Sequence, residues 1–110
     1  MRKPFGRQGI MRDWLDEYRR RVEQFPEDIR LAHQFSANHR VPVLASTVCG
    51  CFYCCSVFPP TAILDWVDEA DDGPGTTALC PKCGIDAVLP DNAGFVLSRE
   101  FLERMKAHWF

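Results

Sequence analysis

The N-terminal part of the chain repeats apolar residues at helical spacing. These residues predict a helix that begins at Asp13 and ends before Pro26. A second helix is predicted over residues 27–39. Residues 1–12 contain two glycines and a proline and are predicted to form an irregular basic arm, so the helical lead-in covers residues 13–40. The apolar residues of the first helix are Trp14, Tyr18, Val22 and Phe25.

The pattern changes over residues 41–110, which we expect to form the core. β-favouring residues on both sides of a cysteine pair predict two short strands within residues 42–58, followed by a brief helix over residues 60–67. A strand over residues 76–79 leads to a second cysteine pair. Ser98 is the predicted N-cap of a final helix with one apolar face. This order of elements predicts a small single α+β domain.

Four cysteines form two pairs, each with two residues between its members. Two such residues allow both sulfurs of a pair to reach one ion from a tight turn, and two pairs complete a tetrahedral shell. The spacing therefore predicts one structural Zn²⁺ in a Cys₄ core of the treble-clef or zinc-ribbon type. The predicted ligands are Cys51, Cys54, Cys80 and Cys83.

A closed shell of four cysteines leaves no open position for a substrate, so the expected role is not catalytic. Two other kinds of site remain as alternatives. A treble-clef nuclease would need a histidine base, and no histidine lies between Cys54 and Cys80. A rubredoxin-like iron protein would use the same ligand set, but only the second pair is followed by glycine.

Two further cysteines lie beside the first pair. Cys49 and Cys55 are interpreted as buried apolar residues, or as a redox switch that exchanges with a ligand. Cys49 could also replace Cys51 as a ligand.

The composition is that of a folded chain, with 46% hydrophobic and 25% charged residues among 110. The net charge of −2 excludes nucleic-acid binding by overall charge. The charge is nevertheless uneven, because residues 1–40 hold nine basic against six acidic side chains. The Arg-rich part predicts an alternative role as a nucleic-acid-binding zinc finger. Its predicted contacts are Arg19, Arg20 and Arg21.

Residues 41–64 carry no charge, but their prolines and cysteines argue against a membrane span, so no membrane partner is expected. The chain begins without an apolar signal segment, and six cysteines fit a reducing compartment, so we expect a cytoplasmic protein. The expected partner is another protein. Trp109 and Phe110 are the predicted partner anchor.

Three segments together carry a resemblance to a family. They read SANHR at residues 36–40, CGCFYC at residues 49–54 and ALCPKCGID at residues 78–86. Across residues 30–110 the chain resembles a family of small bacterial cytoplasmic zinc-binding proteins. The resemblance implies zinc at the two cysteine pairs and a bacterial cytosol, and it implies no particular reaction.

Overall fold

The computed structural model describes residues 3–69 and 73–110 of the chain. Within them lie four helices and two small antiparallel sheets, which confirms the predicted α+β class. The helices are α1 (Lys3–Glu23), α2 (Glu27–His33), α3 (Arg40–Leu44) and α4 (Arg99–Trp109). The strands are β1 (Cys49–Cys51), β2 (Val57–Phe58), β3 (Trp66–Val67), β4 (Thr77–Ala78) and β5 (Val88–Pro90).

The larger sheet has the order β2-β1-β5, so β1 is its central strand. Cys49 is opposite Phe58 on one side and Pro90 on the other. The central strand packs directly against α4, because a methyl group added at Gly50 would lie 3.1 Å from the Leu102 side chain. Glycine therefore lets the helix and the strand approach closely.

The smaller sheet pairs β3 with β4, with Trp66 opposite Ala78. Gly75 precedes β4 and touches β3, since an added Cβ there would lie 2.6 Å from the Trp66 carbonyl carbon. The strand pair therefore depends on a residue without a side chain.

The core lies between α2, α4 and the larger sheet. Asp28 of α2 receives two hydrogen bonds from Arg104 of α4, at 3.0 and 3.2 Å. The Ser98 hydroxyl accepts from the Phe101 amide at 3.1 Å, which is the N-cap that the sequence predicts for α4. The largest side chains excluded from solvent are Ile29, Phe52, Leu89, Leu102 and Met105.

The prediction of an irregular arm over residues 1–12 is wrong from residue 3 onward, because α1 begins at Lys3. Pro4 lies in the first helical turn, where its missing N–H costs no hydrogen bond, and each glycine costs a helix only about 1 kcal/mol. Residues 1 and 2 lie outside the described residues. The apolar series on α1 is not a buried face, since Trp14 is 60% exposed.

Two further boundaries differ from the prediction. The helix expected over residues 27–39 ends at His33, because Asn38 has a left-handed backbone (φ +50°) and the chain turns toward β4. The brief helix expected over residues 60–67 is one turn of 3₁₀ helix at Pro60–Ala62 followed by β3. The pairing of Trp66 with Ala78 is a long-range contact that overrides the local pattern.

Candidate metal centre

Four sulfur atoms meet at the junction of the two sheets. The Sγ atoms of the four paired cysteines all lie within 4.8 Å of one another. The distance is 3.7 Å from Cys51 to Cys83 and also 3.7 Å from Cys54 to Cys80. A tetrahedral shell with Zn–S bonds of about 2.3 Å has sulfurs about 3.8 Å apart. The spacing of the sulfurs therefore fits a single tetrahedral metal ion.

The first cysteine pair lies in the turn between β1 and β2, and we call residues 51–56 the first knuckle. The Tyr53 amide donates to the Cys51 sulfur at 3.3 Å. The Cys55 amide donates to the Cys51 carbonyl at 2.8 Å, and the Cys51 amide donates to the Ser56 carbonyl at 2.9 Å. The hydrogen bond to sulfur stabilises negative charge on a thiolate.

The second pair lies in the turn between β4 and β5, and we call residues 80–85 the second knuckle. It repeats the same three hydrogen bonds. The Lys82 amide donates to the Cys80 sulfur at 3.3 Å. The Gly84 amide donates to the Cys80 carbonyl at 2.9 Å, and the Cys80 amide donates to the Ile85 carbonyl at 3.0 Å. The two knuckles are therefore equivalent turns that face each other across the four sulfurs.

Burial and hydrogen bonding act on the four thiols in opposite directions. Burial raises the pKa of Cys51 strongly and also raises the pKa of Cys83. At Cys54 burial acts in the same direction, but hydrogen bonds from Ser56 and the neighbouring thiols outweigh it and lower that pKa to about 7. Four thiolates at these distances repel one another, and a coordinated cation removes that repulsion. The donor set therefore fits a divalent metal ion.

The sulfurs of Cys49 and Cys55 lie outside the group of four sulfurs at the candidate metal centre. Cys49 is fully buried on β1, and burial, with a contribution from the charge of Asp91, raises its pKa to about 11. A thiol of this kind is a poor nucleophile. Cys55 is half-buried and has a left-handed backbone, with φ of +63°. Its position in the turn is the one that Gly84 holds in the second knuckle.

Trp109 and Phe110 stand at the end of α4 in different surroundings. The Trp109 indole donates to the Ile29 carbonyl at 3.3 Å and stacks on the His33 ring at 3.7 Å. Phe110 is 62% exposed and contacts the first knuckle, with ring centroids 5.6 Å from Phe52 and 4.9 Å from Tyr53. Trp109 therefore holds α4 to α2, while Phe110 offers an exposed ring beside the metal centre.

The three consecutive arginines lie on the last turns of α1, far along the chain from both knuckles. Arg19, Arg20 and Arg21 are all exposed. The neighbouring rings of Trp14 and Tyr18 stack at 5.8 Å, and the Arg21 guanidinium lies 5.8 Å from the Tyr18 ring. This end of α1 is a basic surface that also presents aromatic rings.

One residue that supports the strand before the second knuckle was not predicted from the sequence. His39 is buried, its Nδ1 donates to the Phe35 carbonyl, and its Nε2 accepts from the Ala78 amide at 3.0 Å. The Thr76 carbonyl accepts from the His39 amide at 2.8 Å. His39 thereby positions β4, the strand that leads to Cys80. The signal in the sequence is the run of polar residues over 38–40, at the end of the predicted helix.

No family model, curated protein or solved structure matches this chain. Across the residues that the structure describes, no helix has both the length and the apolar character that a bilayer span needs. The functional interpretation therefore depends on the geometry of the site.

Proposed function

We propose that the protein binds one structural Zn²⁺ through Cys51, Cys54, Cys80 and Cys83, and that the zinc-supported fold is a protein-interaction module of the cytoplasm. The observation that carries the proposal is the pair of equivalent knuckles, which brings four sulfurs to the spacing of a tetrahedral shell. The six free thiols suit a reducing compartment.

The positions of the cysteine pairs favour the zinc-ribbon alternative over the treble clef. Both pairs lie in turns between strands, and α4 begins only at Arg99, well after Cys83. Iron would occupy the same four thiolates, so elemental analysis separates the two metals.

The exposed rings beside the metal centre support the interaction role. Tyr53 is 40% and Phe110 62% exposed, and the Lys106 ammonium lies 5.1 Å from the Tyr53 ring. We call Tyr53, Lys106 and Phe110 the aromatic surface. Exposed aromatic residues next to a rigid element are typical of protein contacts. Because Tyr53 belongs to the first knuckle, the metal holds part of this surface in place.

A photo-crosslinking amino acid at position 53 tests the interaction role in extracts of the source cells. We expect one protein partner to crosslink to the zinc-loaded chain and to disappear after chelation. The matched control places the same amino acid at Leu64, which is 83% exposed and lies outside both knuckles. Equal crosslinking from positions 53 and 64, or crosslinking that a chelator does not change, would contradict the proposed interaction.

A second candidate function is nucleic-acid binding by the basic end of α1, where three exposed arginines adjoin stacked aromatic rings. Fluorescence anisotropy with single-stranded DNA and RNA at several salt concentrations tests it. Binding that weakens with salt and is lost on replacing Arg19, Arg20 and Arg21 by alanine would support this function. The control replaces three other exposed basic residues by alanine, Lys82, Arg99 and Lys106.

A further inference from the structure

A cavity of about 350 Å³ lies between the end of α2, the first knuckle, the residue that follows the second knuckle and the end of α4. Its volume is at the lower end of the range of ligand pockets, about 300–1,000 Å³. The first knuckle contributes Phe52 to its wall, and Asp86 directly follows the second knuckle, so both knuckles position groups of the cavity. The lining includes His33, Ser36, Phe52, Asp86, Trp109 and Phe110.

The polar groups of the cavity can accept hydrogen bonds. The Ser36 hydroxyl donates to the His33 carbonyl at 2.7 Å, which leaves its oxygen lone pairs as acceptors. The Asp86 side chain is exposed and offers a carboxylate. Burial lowers the pKa of His33, so near neutral pH its ring is uncharged and keeps one acceptor nitrogen. Among the described residues that line the cavity, none is lysine or arginine.

The remaining wall is aromatic. Phe52 is only 2% exposed, and its ring lies 5.6 Å from that of the exposed Phe110. Trp109 is held between the rings of His33 and Phe25, at centroid distances of 3.7 and 5.0 Å. Phe110 is therefore the adaptable part of the wall, and Trp109 is the fixed part.

We propose that this cavity receives the side chain of a lysine or arginine from a protein partner. Such a side chain has a donor-only cationic head, which matches the Asp86 carboxylate and the other acceptors, and an apolar stem, which matches the aromatic wall. A cation near the Phe110 ring is also attracted to its face. The biological role of the cavity rests on the proposed function, because that function identifies the partner as a protein.

Two-dimensional ¹H–¹⁵N NMR titrations of the full zinc-loaded chain test this site. The probes are Nα-acetyl-arginine methylamide, Nα-acetyl-lysine methylamide and the uncharged Nα-acetyl-norleucine methylamide. We expect shifts that centre on the amides of Ser36, Asp86 and Phe110 and dissociation constants in the millimolar range. The norleucine probe should bind about fivefold more weakly than both basic probes, since it lacks the ion pair. Equal binding of all three probes would overturn the inference.

Asp86→Asn should weaken binding of the basic probes about fivefold, the upper range for an exposed ion pair, and leave the metal content unchanged. Asp65→Asn is the matched control, because Asp65 is also exposed and does not line the cavity. Binding that Asp86→Asn leaves unaltered would contradict the proposed site.

Metal content measured on the same samples separates this inference from the proposed function. A zinc-loaded chain that does not bind the basic probes overturns the cavity alone. A folded chain that binds them without metal overturns the structural zinc and keeps the cavity.

Discussion

Cys55 and Gly84 occupy the same position in the two knuckles, directly after the second cysteine of each pair. Both have a left-handed backbone, with φ of +63° and +81°, and each donates its amide to the carbonyl of the first cysteine of its pair. Glycine adopts this conformation freely, whereas a residue with a Cβ is strained by about 1–2 kcal/mol. The first knuckle therefore carries a strain that the second does not.

Replacing Cys55 by glycine is expected to stabilise the protein by about 0.5–1 kcal/mol. Relief of the left-handed strain outweighs the greater freedom of glycine in the unfolded chain. Chemical denaturation of the zinc-loaded protein measures the change, and elemental analysis should still find one metal per chain. Loss of metal from Cys55→Gly would show that Cys55 is a ligand after all.

The reciprocal change, Gly84→Ala, should destabilise the protein by about 1 kcal/mol. The added Cβ would meet no atom within 4 Å, so only the backbone conformation is penalised. An unchanged free energy of unfolding would argue against the left-handed turn.

Of two cysteines that differ in burial, the more exposed one should contribute more to the stability of the protein. Cys83→Ser removes a half-buried ligand and should abolish the metal and the cooperative thermal transition, because zinc contributes about 10–16 kcal/mol in finger-like peptides. Cys49→Ala removes a fully buried thiol, and should keep one metal per chain while costing about 1 kcal/mol. Metal content and thermal melts of both variants check this. Retention of metal by Cys83→Ser would contradict the assigned ligand set.

His39 should be a strong determinant of stability although it binds no metal. His39→Leu leaves the buried Ala78 amide without its acceptor and should cost about 2–3 kcal/mol. His39→Gln retains a donor and an acceptor and should cost less. Urea titrations of the three proteins give the comparison. Equal losses for the two variants would mean that packing, not hydrogen bonding, sets the contribution of His39.

The pH dependence of folding should carry the signature of His39. Burial lowers its pKa below the ordinary value of 6.5, so the unfolded chain takes up this proton before the native protein does. The contribution of neutral His39 to the free energy of unfolding is complete above about pH 6.5, and it is lost as the pH falls through the lower native pKa. Between pH 7.5 and 5.5 the wild type should therefore lose more stability than His39→Leu. The metal-binding thiolates respond to acid in the same way in both proteins. Identical slopes of the free energy of unfolding against pH would therefore contradict this role of His39.

Gly75 should tolerate no side chain. Its Cβ would lie 2.6 Å from the Trp66 carbonyl carbon, and backbone cannot move aside, so Gly75→Ala should cost about 2 kcal/mol or more. At Gly50 the nearest atom belongs to the Leu102 side chain at 3.1 Å, which can shift, so Gly50→Ala is the milder control. Thermal denaturation measures both. A larger loss for Gly50→Ala would reverse the expected order.

The features that sequence predicted best depend on residues close together in the chain. Each cysteine pair forms its turn through neighbouring backbone groups, and Ser98 caps α4 through the amide of Phe101. The apolar spacing of the last helix likewise placed Phe101 and Leu102 in the core. Local geometry decides these features, so one segment is enough to predict them.

The features that sequence could not predict depend on distant partners. The early end of α2 follows from the contacts of Asn38 and His39 with β4, which lies almost forty residues further on. The strand at Trp66 exists because Ala78 pairs with it. The exposed face of α1 is a similar case, because helical spacing alone does not say whether Trp14 has a neighbour.

The most direct test of the structural metal is elemental analysis of untagged protein, combined with thermal melts before and after a chelator. One zinc per chain, and a large fall in melting temperature when the zinc is removed, is the predicted result. A stable folded protein that contains no metal, or that melts at the same temperature after chelation, would contradict the claim that two cysteine knuckles are held together by a single ion.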